Sequence, residues 1–151
     1  MEMTNRWPNV LRELHLKVTN HRVRILEFLE KAQTPMAVDS IFDQLKSKDK
    51  PISLSTIYRV LDALIEKDLV KKIVFENDTK TMYEFNRQIH HHFLICLGCN
   101  RVINVESCPI HDYEAYITTQ MNFHVVGHKL EFYGYCEECQ KKARKAGEPL
   151  F

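Results

Sequence analysis

Two pairs of cysteines are the residues whose types and spacing most directly indicate chemistry in this chain. Cys96 and Cys99 form one CxxC motif, and Cys136 and Cys139 form a second motif after 36 intervening residues. Four thiolates provide the tetrahedral sulfur set that zinc prefers. One CxxC motif alone could be a redox pair, and the four cysteines could form two disulfides, although nothing marks the chain as secreted. We therefore predict a closed structural Zn²⁺ site that stabilises the fold and leaves no open position for catalysis.

Histidines in the same part of the chain predict a second metal site. His90, His91 and His92 are consecutive and precede a β-prone segment. If the strand extends back over them, His90 and His92 share one face and His91 points to the other. His128 lies on the apolar face of another predicted strand and could converge with His90 and His92. The alternatives are a hydrogen-bonded core histidine at position 128 and a solvated loop at positions 90–92.

A fourth ligand for the histidine site is expected from the predicted helix near Pro109. His111 is our candidate, with Asp112 and Glu114 as the neighbouring carboxylates. Three or four imidazole nitrogens suit Zn²⁺ and also nickel, cobalt or copper. Cys108 stands apart from both CxxC motifs, and we expect it to be a buried thiol, with a ligand or redox role as the alternative.

Composition divides the chain into two chemically different halves. All five cysteines and six of the eight histidines follow residue 89. Hydrophobic residues at 44% and charged residues at 27% are typical of a globular protein, and the net charge of +1 gives no basic footprint for nucleic acid. Because no apolar run could span a membrane and no secretory signal is recognisable, we expect a cytoplasmic protein.

The elements of the first half are predicted from apolar periodicity. Apolar residues at i, i+3, i+4 and i+7 indicate helices beginning near Ile25, Val38 and Ile57, with Thr19 or Asn20 and Ser53 as N-caps, and a shorter opening helix around 10–15. Two β-prone runs, 70–75 and 82–85, flank a hairpin loop at 76–80. Three helices followed by a hairpin are typical of a winged helix-turn-helix, whose last helix enters the DNA major groove.

The last of these helices has an outer face that could contact DNA. We expect Leu54, Ile57, Leu61 and Leu64 to point inward, and the outward set to be Ser55, Tyr58, Arg59 and Asp62. Tyrosine and arginine can contact base edges and phosphates. A solvated helix surface is the alternative.

These motifs, in this order, resemble the ferric-uptake-regulator (Fur) family of bacterial metal-sensing repressors over about residues 11–140. The segments that carry the resemblance are LKVTNHR (16–22), STIYRVL (55–61), YEF (83–85), HHH (90–92), ICLGC (95–99) and YGYCEEC (133–139). The resemblance implies an α+β chain with an N-terminal winged helix-turn-helix and hinge (1–86), followed by a small α/β dimerisation domain with structural zinc (87–151). It implies a homodimer that binds double-stranded palindromic operator DNA.

The resemblance also assigns roles to individual residues. Tyr58 and Arg59 match recognition-helix contacts, with Ser55 beside them, and Lys17 matches a basic residue that reaches the DNA backbone or minor groove.

The resemblance also assigns the metal ligands. The four CxxC cysteines match the structural zinc site. His90, His92 and His128 match a metal site of the dimerisation domain, in which His111 stands where the family usually has a carboxylate. Glu84 and His91 match two ligands of a hinge site.

Departures from the family pattern bear on which metal is sensed. Iron and peroxide sensors have further histidines at the positions of Pro35 and Phe93 and a carboxylate at that of Asn104. An all-imidazole set suits zinc better, and the segments 106–109 and 127–130 are similar to the zinc-uptake-regulator (Zur) branch. That branch often has a hinge cysteine near 85–87, which is absent here. The hinge site would then consist of Glu84 and His91 with Glu76 or Asp78, and the alternative is that this site is vestigial.

The expected function is therefore a zinc-sensing repressor of metal-uptake genes, with Zn²⁺ as the regulatory ion. An iron- or peroxide-responsive repressor with Fe²⁺ or Mn²⁺ is the alternative. Catalysis by zinc needs an open coordination position and a general base. Because the hydrolase motif HExxH and the deaminase motif HxE with PCxxC are both absent, we expect that the chain is not an enzyme. A zinc-ribbon adaptor would leave Tyr58 and Arg59 without a role.

Overall fold

The computed structural model describes residues 6–47, 51–75, 80–147 and 149, and the chain divides into two compact units. The first unit ends at Gln88 and the second begins at Ile89, two residues after the boundary that the sequence suggests. Residues 76–79, which belong to the predicted hairpin loop and include the candidate hinge ligands Glu76 and Asp78, lie outside the described residues.

The first unit has the predicted winged helix-turn-helix order. Its elements are α1 (Arg6–Glu13), α2 (Asn20–Lys31), β1 (Met36–Ala37), α3 (Val38–Leu45), α4 (Leu54–Glu66), β2 (Val70–Val74) and β3 (Thr81–Phe85). The strands form a sheet in the order β1-β3-β2 with antiparallel pairing throughout. The three predicted helices α2, α3 and α4 and the antiparallel pairing of the two β-prone runs are confirmed, whereas the opening helix lies further toward the N-terminus than the predicted 10–15.

Both predicted helix caps are present. The Thr19 hydroxyl accepts from the Arg22 N–H at 3.3 Å, and the Ser53 hydroxyl accepts from the Thr56 N–H at 3.2 Å. An N-cap of this kind contributes about 1 kcal/mol of stability. The cap at Ser53 fixes the first residue of α4, and therefore fixes which side chains of α4 face outward.

The helices pack around one apolar core. Its side chains with no exposed surface come from α1 through α4: Leu11, Ile25, Leu26, Leu29, Ile41, Ile57, Leu61 and Leu64. The prediction that Leu54 points inward is wrong, because this first residue of α4 lies one turn ahead of Ile57 and is 41% exposed. Ile52, which precedes the helix, is buried in its place.

The second unit is built on a mixed three-stranded sheet. Its elements are β4 (His92–Cys96), β5 (Val102–Val105), α5 (His111–Met121), β6 (Glu131–Gly134) and α6 (Glu137–Ala146). The strand order is β5-β4-β6, with β5 antiparallel and β6 parallel to β4. Because β4 and β6 run in the same direction, the residues before both strands lie at one end of the sheet and the residues after both lie at the other.

Of the helices that the structure describes, none combines the length and the apolar character that crossing a lipid bilayer requires.

Candidate metal centres and nucleic-acid interface

The four CxxC cysteines meet at the end of the sheet where β4 and β6 finish. Cys96 is the last residue of β4, Cys99 lies in the turn to β5, Cys136 is the N-cap of α6 and Cys139 lies in its first turn. The four sulfurs lie within 4.8 Å of one another, and the Sγ atoms of Cys99 and Cys136 are 3.7 Å apart. In a tetrahedral site with Zn–S bonds of about 2.3 Å, two sulfurs are roughly 3.8 Å apart. The cysteine set therefore fits one zinc ion.

The electrostatics of this cluster favour a cation among the sulfurs. Burial raises the pKa of the Cys96 thiol, but three backbone N–H groups outweigh burial and lower this pKa to about 6. These groups belong to Cys136, Cys99 and Gly98, and the first lies 3.2 Å from the Cys96 sulfur. In contrast, the neighbouring thiol of Cys136 is the main cause that raises the pKa of Cys139 to about 12. Four thiolates can coexist here only around a positive ion.

Gly98 allows the two CxxC motifs to pack closely. A Cβ atom at this position would lie 2.9 Å from the sulfur and 3.1 Å from the Cβ of Cys139. Any larger residue would therefore push Cys139 away from its place in the cluster.

None of the five cysteines forms a disulfide, so each sulfur is available to bind metal as a thiolate. The alternative of two disulfides is therefore not what the structure shows.

The histidine cluster lies at the opposite end of β4. His92 is the first residue of β4 and is 2% exposed, and His90 and His128 approach it from the segments that lead into β4 and β6. The Nε2 atoms are 3.1 Å apart for His90 and His92, 2.9 Å for His90 and His128, and 3.1 Å for His92 and His128. The prediction that strands cover His90 and His128 is wrong, because β4 begins at His92 and β6 at Glu131. The parallel register pairs Phe93 with Glu131, and three residues before each of them the chain reaches His90 and His128, which explains why the two lie at the same end of the sheet.

Three nitrogens in a triangle cannot satisfy one another. Each Nε2 atom of a neutral imidazole offers either one N–H or one lone pair, so the three contacts cannot all be hydrogen bonds. Burial, followed by the neighbouring His90 and His128, lowers the pKa of His92 and favours its neutral form, which is the form that binds metal. In a tetrahedral site with Zn–N bonds of about 2.0–2.1 Å, two nitrogens are roughly 3.3 Å apart. The triangle therefore fits a shared ion.

Glu114 orients one of these imidazoles. Its carboxylate oxygen lies 2.5 Å from Nδ1 of His128 and accepts the Nδ1–H hydrogen bond. This contact leaves the lone pair of His128 on Nε2, the atom that faces the cluster. Carboxylates bonded to the far nitrogen of a ligating histidine are usual in metal sites, where they fix the tautomer and raise ligand basicity. Glu114, a sequence candidate for a direct ligand, is instead placed behind the ligand.

Cys108 occupies the position beside the histidines that we expected for His111. Its sulfur is 3.4 Å from Nε2 of His128, and the ligand atoms of Cys108 and the three histidines lie within 4.8 Å of one another. His111 is exposed at the first residue of α5 and does not belong to this group. The antiparallel register pairs His92 with Val105, so the chain leaving β5 passes the histidine end of β4 and brings Cys108 there.

The two residues of the proposed hinge site lie in different units. Glu84 is in β3 of the first unit, is 5% exposed and pairs with Lys71 of β2. His91 belongs to the second unit, where its ring packs edge-on against Phe93 with 5.1 Å between centroids. Their shared site remains a prediction.

The outward face of α4 is free of the core, as predicted. Ser55, Tyr58 and Arg59 are exposed, with Tyr58 at 48%. Lys17 is exposed in the loop between α1 and α2, where its carbonyl accepts from the Arg22 guanidinium at 2.5 Å. These side chains provide hydrogen-bond donors and two positive charges, which suit phosphates and the edges of bases.

The chain is similar to known metal-responsive regulators over most of its length. Residues 13–133 match the family model described as the ferric uptake regulator family. The ferric uptake regulation protein of Campylobacter jejuni is 30% identical over 145 residues, which cover 95% of this chain and 92% of that protein. The peroxide-responsive repressor PerR of Staphylococcus aureus is 30% identical over 132 residues, 87% of this chain and 88% of that protein. The crystal structure of the Vibrio cholerae ferric uptake regulator superposes with a TM-score of 0.73 at 31% identity and covers 85% of this chain and 98% of that chain.

Proposed function

The chain belongs to the ferric uptake regulator family of metal-responsive transcriptional regulators, and from this premise we propose that it represses metal-uptake genes in response to zinc. The observation that carries this proposal is the convergence of three imidazole nitrogens at 2.9–3.1 Å, with a cysteine sulfur beside them. Nitrogen and sulfur donors suit zinc, whereas oxygen-rich sets suit manganese and mixed histidine–carboxylate sets suit ferrous iron. This donor set supports the zinc-uptake branch of the family.

A second function has its own support. The Campylobacter jejuni relative is a ferric uptake regulation protein and the Staphylococcus aureus relative is a peroxide-responsive repressor. An iron- or peroxide-responsive repressor that uses Fe²⁺ or Mn²⁺ is therefore the alternative, and metal selectivity separates it from a zinc sensor.

The chain is proposed to act as a cytoplasmic homodimer on double-stranded palindromic operator DNA. Regulators of this family are DNA-binding dimers. In the second unit, apolar side chains are exposed on and after α5, and a second copy of the unit would cover them: Tyr113, Tyr116, Met121, Phe123 and Val126. In such a dimer the two α4 helices would enter successive major grooves, about 34–36 Å apart.

The linker between the units is hydrogen-bonded to Asp68, which follows the proposed recognition helix α4. The Asn86 side-chain amide donates to the carbonyl and carboxylate of Asp68 at 2.9 Å each, and Gln88 donates to the same carboxylate at 3.0 Å. Asp68 lies two residues beyond the end of α4. The chain is therefore fixed to the DNA-binding unit as far as Gln88, and His90, a proposed ligand, follows two residues later.

These hydrogen bonds suggest how metal binding in the second unit would affect the DNA-binding unit. A divalent ion held by His90, His92 and His128 would supply the positive charge on which their lone pairs converge. Ile89 is the one residue between His90 and Gln88, whose side chain is bonded to Asp68. A bound ion that fixes His90 would therefore restrict Ile89 and reduce the range of positions that the DNA-binding unit can take. By linkage, operator DNA must tighten metal binding by the same factor by which metal tightens DNA binding.

Titration of the operator with different metals tests the proposal. The full-length protein, with its cysteine site zinc-loaded and exchangeable metal removed by mild chelation, is titrated onto labelled operator DNA at buffered free Zn²⁺, Fe²⁺ or Mn²⁺. We expect Zn²⁺ to tighten operator binding about 5–150-fold, the usual range of allosteric coupling. A larger response to Fe²⁺ or Mn²⁺ selects the alternative, and equal affinity with and without exchangeable metal rejects both functions.

Arg59→Ala is expected to weaken specific operator binding by about 1–3 kcal/mol, because a bidentate arginine–guanine contact contributes this much discrimination. Since Arg59 is exposed, the melting temperature and the metal content should be unchanged. The matched control is Arg144→Ala, which removes the same charge from an exposed position on α6. An equal loss of affinity in both variants would show that only net charge matters, and that α4 does not read the sequence.

A further inference from the structure

We propose that the Cys108 thiolate is the fourth ligand of the histidine site, so that the regulatory ion is held by one sulfur and three nitrogens. This inference rests on the proposed function, because it identifies the donor set of the same site. It replaces the all-imidazole set that the sequence suggests and assigns His111 no place in it.

The distances around Cys108 support this assignment. Its sulfur lies 3.4 Å from Nε2 of His128 and within 4.8 Å of the ligand atoms of His90 and His92. In a tetrahedron with a Zn–S bond of about 2.3 Å and a Zn–N bond of about 2.0–2.1 Å, sulfur and nitrogen are roughly 3.5 Å apart. The sulfur therefore closes the fourth corner that the nitrogen triangle leaves open.

The topology of the sheet explains why Cys108 reaches this corner. The β4–β5 turn reverses the chain, and the resulting register places Val105 opposite His92. The chain then continues past the end of β4 for the few residues that precede α5, and Cys108 lies among them. The four ligands thus come from three separate segments: the start of β4, the exit of β5 and the entry of β6.

The other candidates for the fourth position are excluded by their surroundings. The carboxylate of Glu114 is bonded to Nδ1 of His128, on the side of the ring that faces away from the nitrogen triangle. His111 and Asp112 are exposed in the first turn of α5, outside the group of converging ligand atoms. Cys108 is half-buried and its sulfur already contacts a ligand nitrogen.

A thiolate ligand determines the class of metal that this site takes. Sulfur and imidazole together suit zinc and its spectroscopic substitute cobalt, whereas manganese and magnesium prefer oxygen donors. One thiolate also contributes a negative charge to a set of otherwise neutral ligands. Four protein ligands in a tetrahedron leave no open position, which is typical of a site that holds an ion rather than one that catalyses a reaction.

Cobalt substitution tests the assignment without reference to DNA. Full-length protein that retains zinc in its cysteine site is freed of exchangeable metal and titrated with Co²⁺ alone. We expect one Co²⁺ per chain, with visible bands of tetrahedral cobalt and a near-ultraviolet sulfur-to-cobalt charge-transfer band. In Cys108→Ser the charge-transfer band should disappear and Co²⁺ affinity should fall at least as far as the roughly 10–100-fold typical of losing an outer-shell partner.

Two controls keep the result unambiguous. Zinc measured in the same sample must stay at one per chain, which shows that cobalt has not entered the cysteine site. His111→Ala should keep both the charge-transfer band and the wild-type affinity. A bound cobalt without the sulfur band, a band that persists in Cys108→Ser, or a loss of affinity in His111→Ala would each overturn the assignment. Failure of the proposed function would appear separately, as operator binding that ignores metal while the cobalt spectrum is intact.

Discussion

Cys136→Ser is expected to unfold the second unit while the first unit stays folded. The reason is that the second unit has little apolar core of its own. Among the described residues, its buried apolar side chains are Ile95, Cys96 and Val102, and neither α5 nor α6 has a buried residue. Structural zinc contributes an apparent binding free energy of about 10–16 kcal/mol in small zinc peptides, which is as large as the whole net stability of a typical domain, about 5–15 kcal/mol. Losing one ligand should therefore cost more than this unit can tolerate.

Zinc stoichiometry, circular dichroism and hydrogen exchange measure this outcome on the full-length variant. Exchange should become fast in β4, β5 and β6 and remain slow in α2, α3 and α4, whose core side chains are fully buried. Cys108→Ser is the matched control, because it also removes one thiol from the second unit but leaves the four-cysteine cluster complete. If Cys136→Ser melts at the wild-type temperature, or keeps its cysteine-bound zinc, the cluster is not what stabilises this unit.

The first unit was largely predictable because its determinants are local in sequence. The apolar periodicity that buries Ile57, Leu61 and Leu64 also places Tyr58 and Arg59 on the exposed face of α4. The Ser53 cap determines the residue at which this helix begins. The failure at Leu54 follows from the same rule: periodicity places a residue on a face, but only packing decides how far along the helix that face is covered.

The histidine site was only partly predictable because its fourth corner depends on strand register. The assumed strand alternation grouped His90, His92 and His128 correctly, although only His92 lies in a strand and the other two precede β4 and β6. The choice between Cys108 and His111 required the pairing of His92 with Val105, which no local pattern states. A CxxC motif in a tight turn between two β-prone runs was the available signal, since a hairpin centred there brings the chain after β5 back to the start of β4.

The pair β4 and β6 explains why this small unit can hold two different sites. Both strands run in the same direction, so their entries carry the histidines and their exits carry the cysteines. β4 is five residues long, so its two end residues are four steps apart, a distance of roughly 13 Å at about 3.3 Å per step. A fixed ion at the cysteine end would hold the two strands together, and a second ion at the other end would then act on the segment that continues into the linker.

His128→Ala is expected to abolish the metal response of operator binding while the cysteine site and the fold remain. The substitution removes one of three converging nitrogens and also the group through which Glu114 acts, so the remaining side chains no longer surround the ion. Operator affinity should then stay at its metal-free value, about 5–150-fold weaker than that of the zinc-loaded wild type. Anisotropy titrations at buffered free Zn²⁺ measure the loss.

The matched control for this prediction is His124→Ala, which removes an exposed histidine from the same connection between α5 and β6. It should respond to Zn²⁺ as the wild type does, and both variants should retain one zinc per chain after mild chelation. A full Zn²⁺ response in His128→Ala would assign the regulatory role elsewhere, to the hinge pair Glu84 and His91. Because those two residues belong to different units, the double variant Glu84→Gln/His91→Ala would then be the one that loses the response, with His128 left intact.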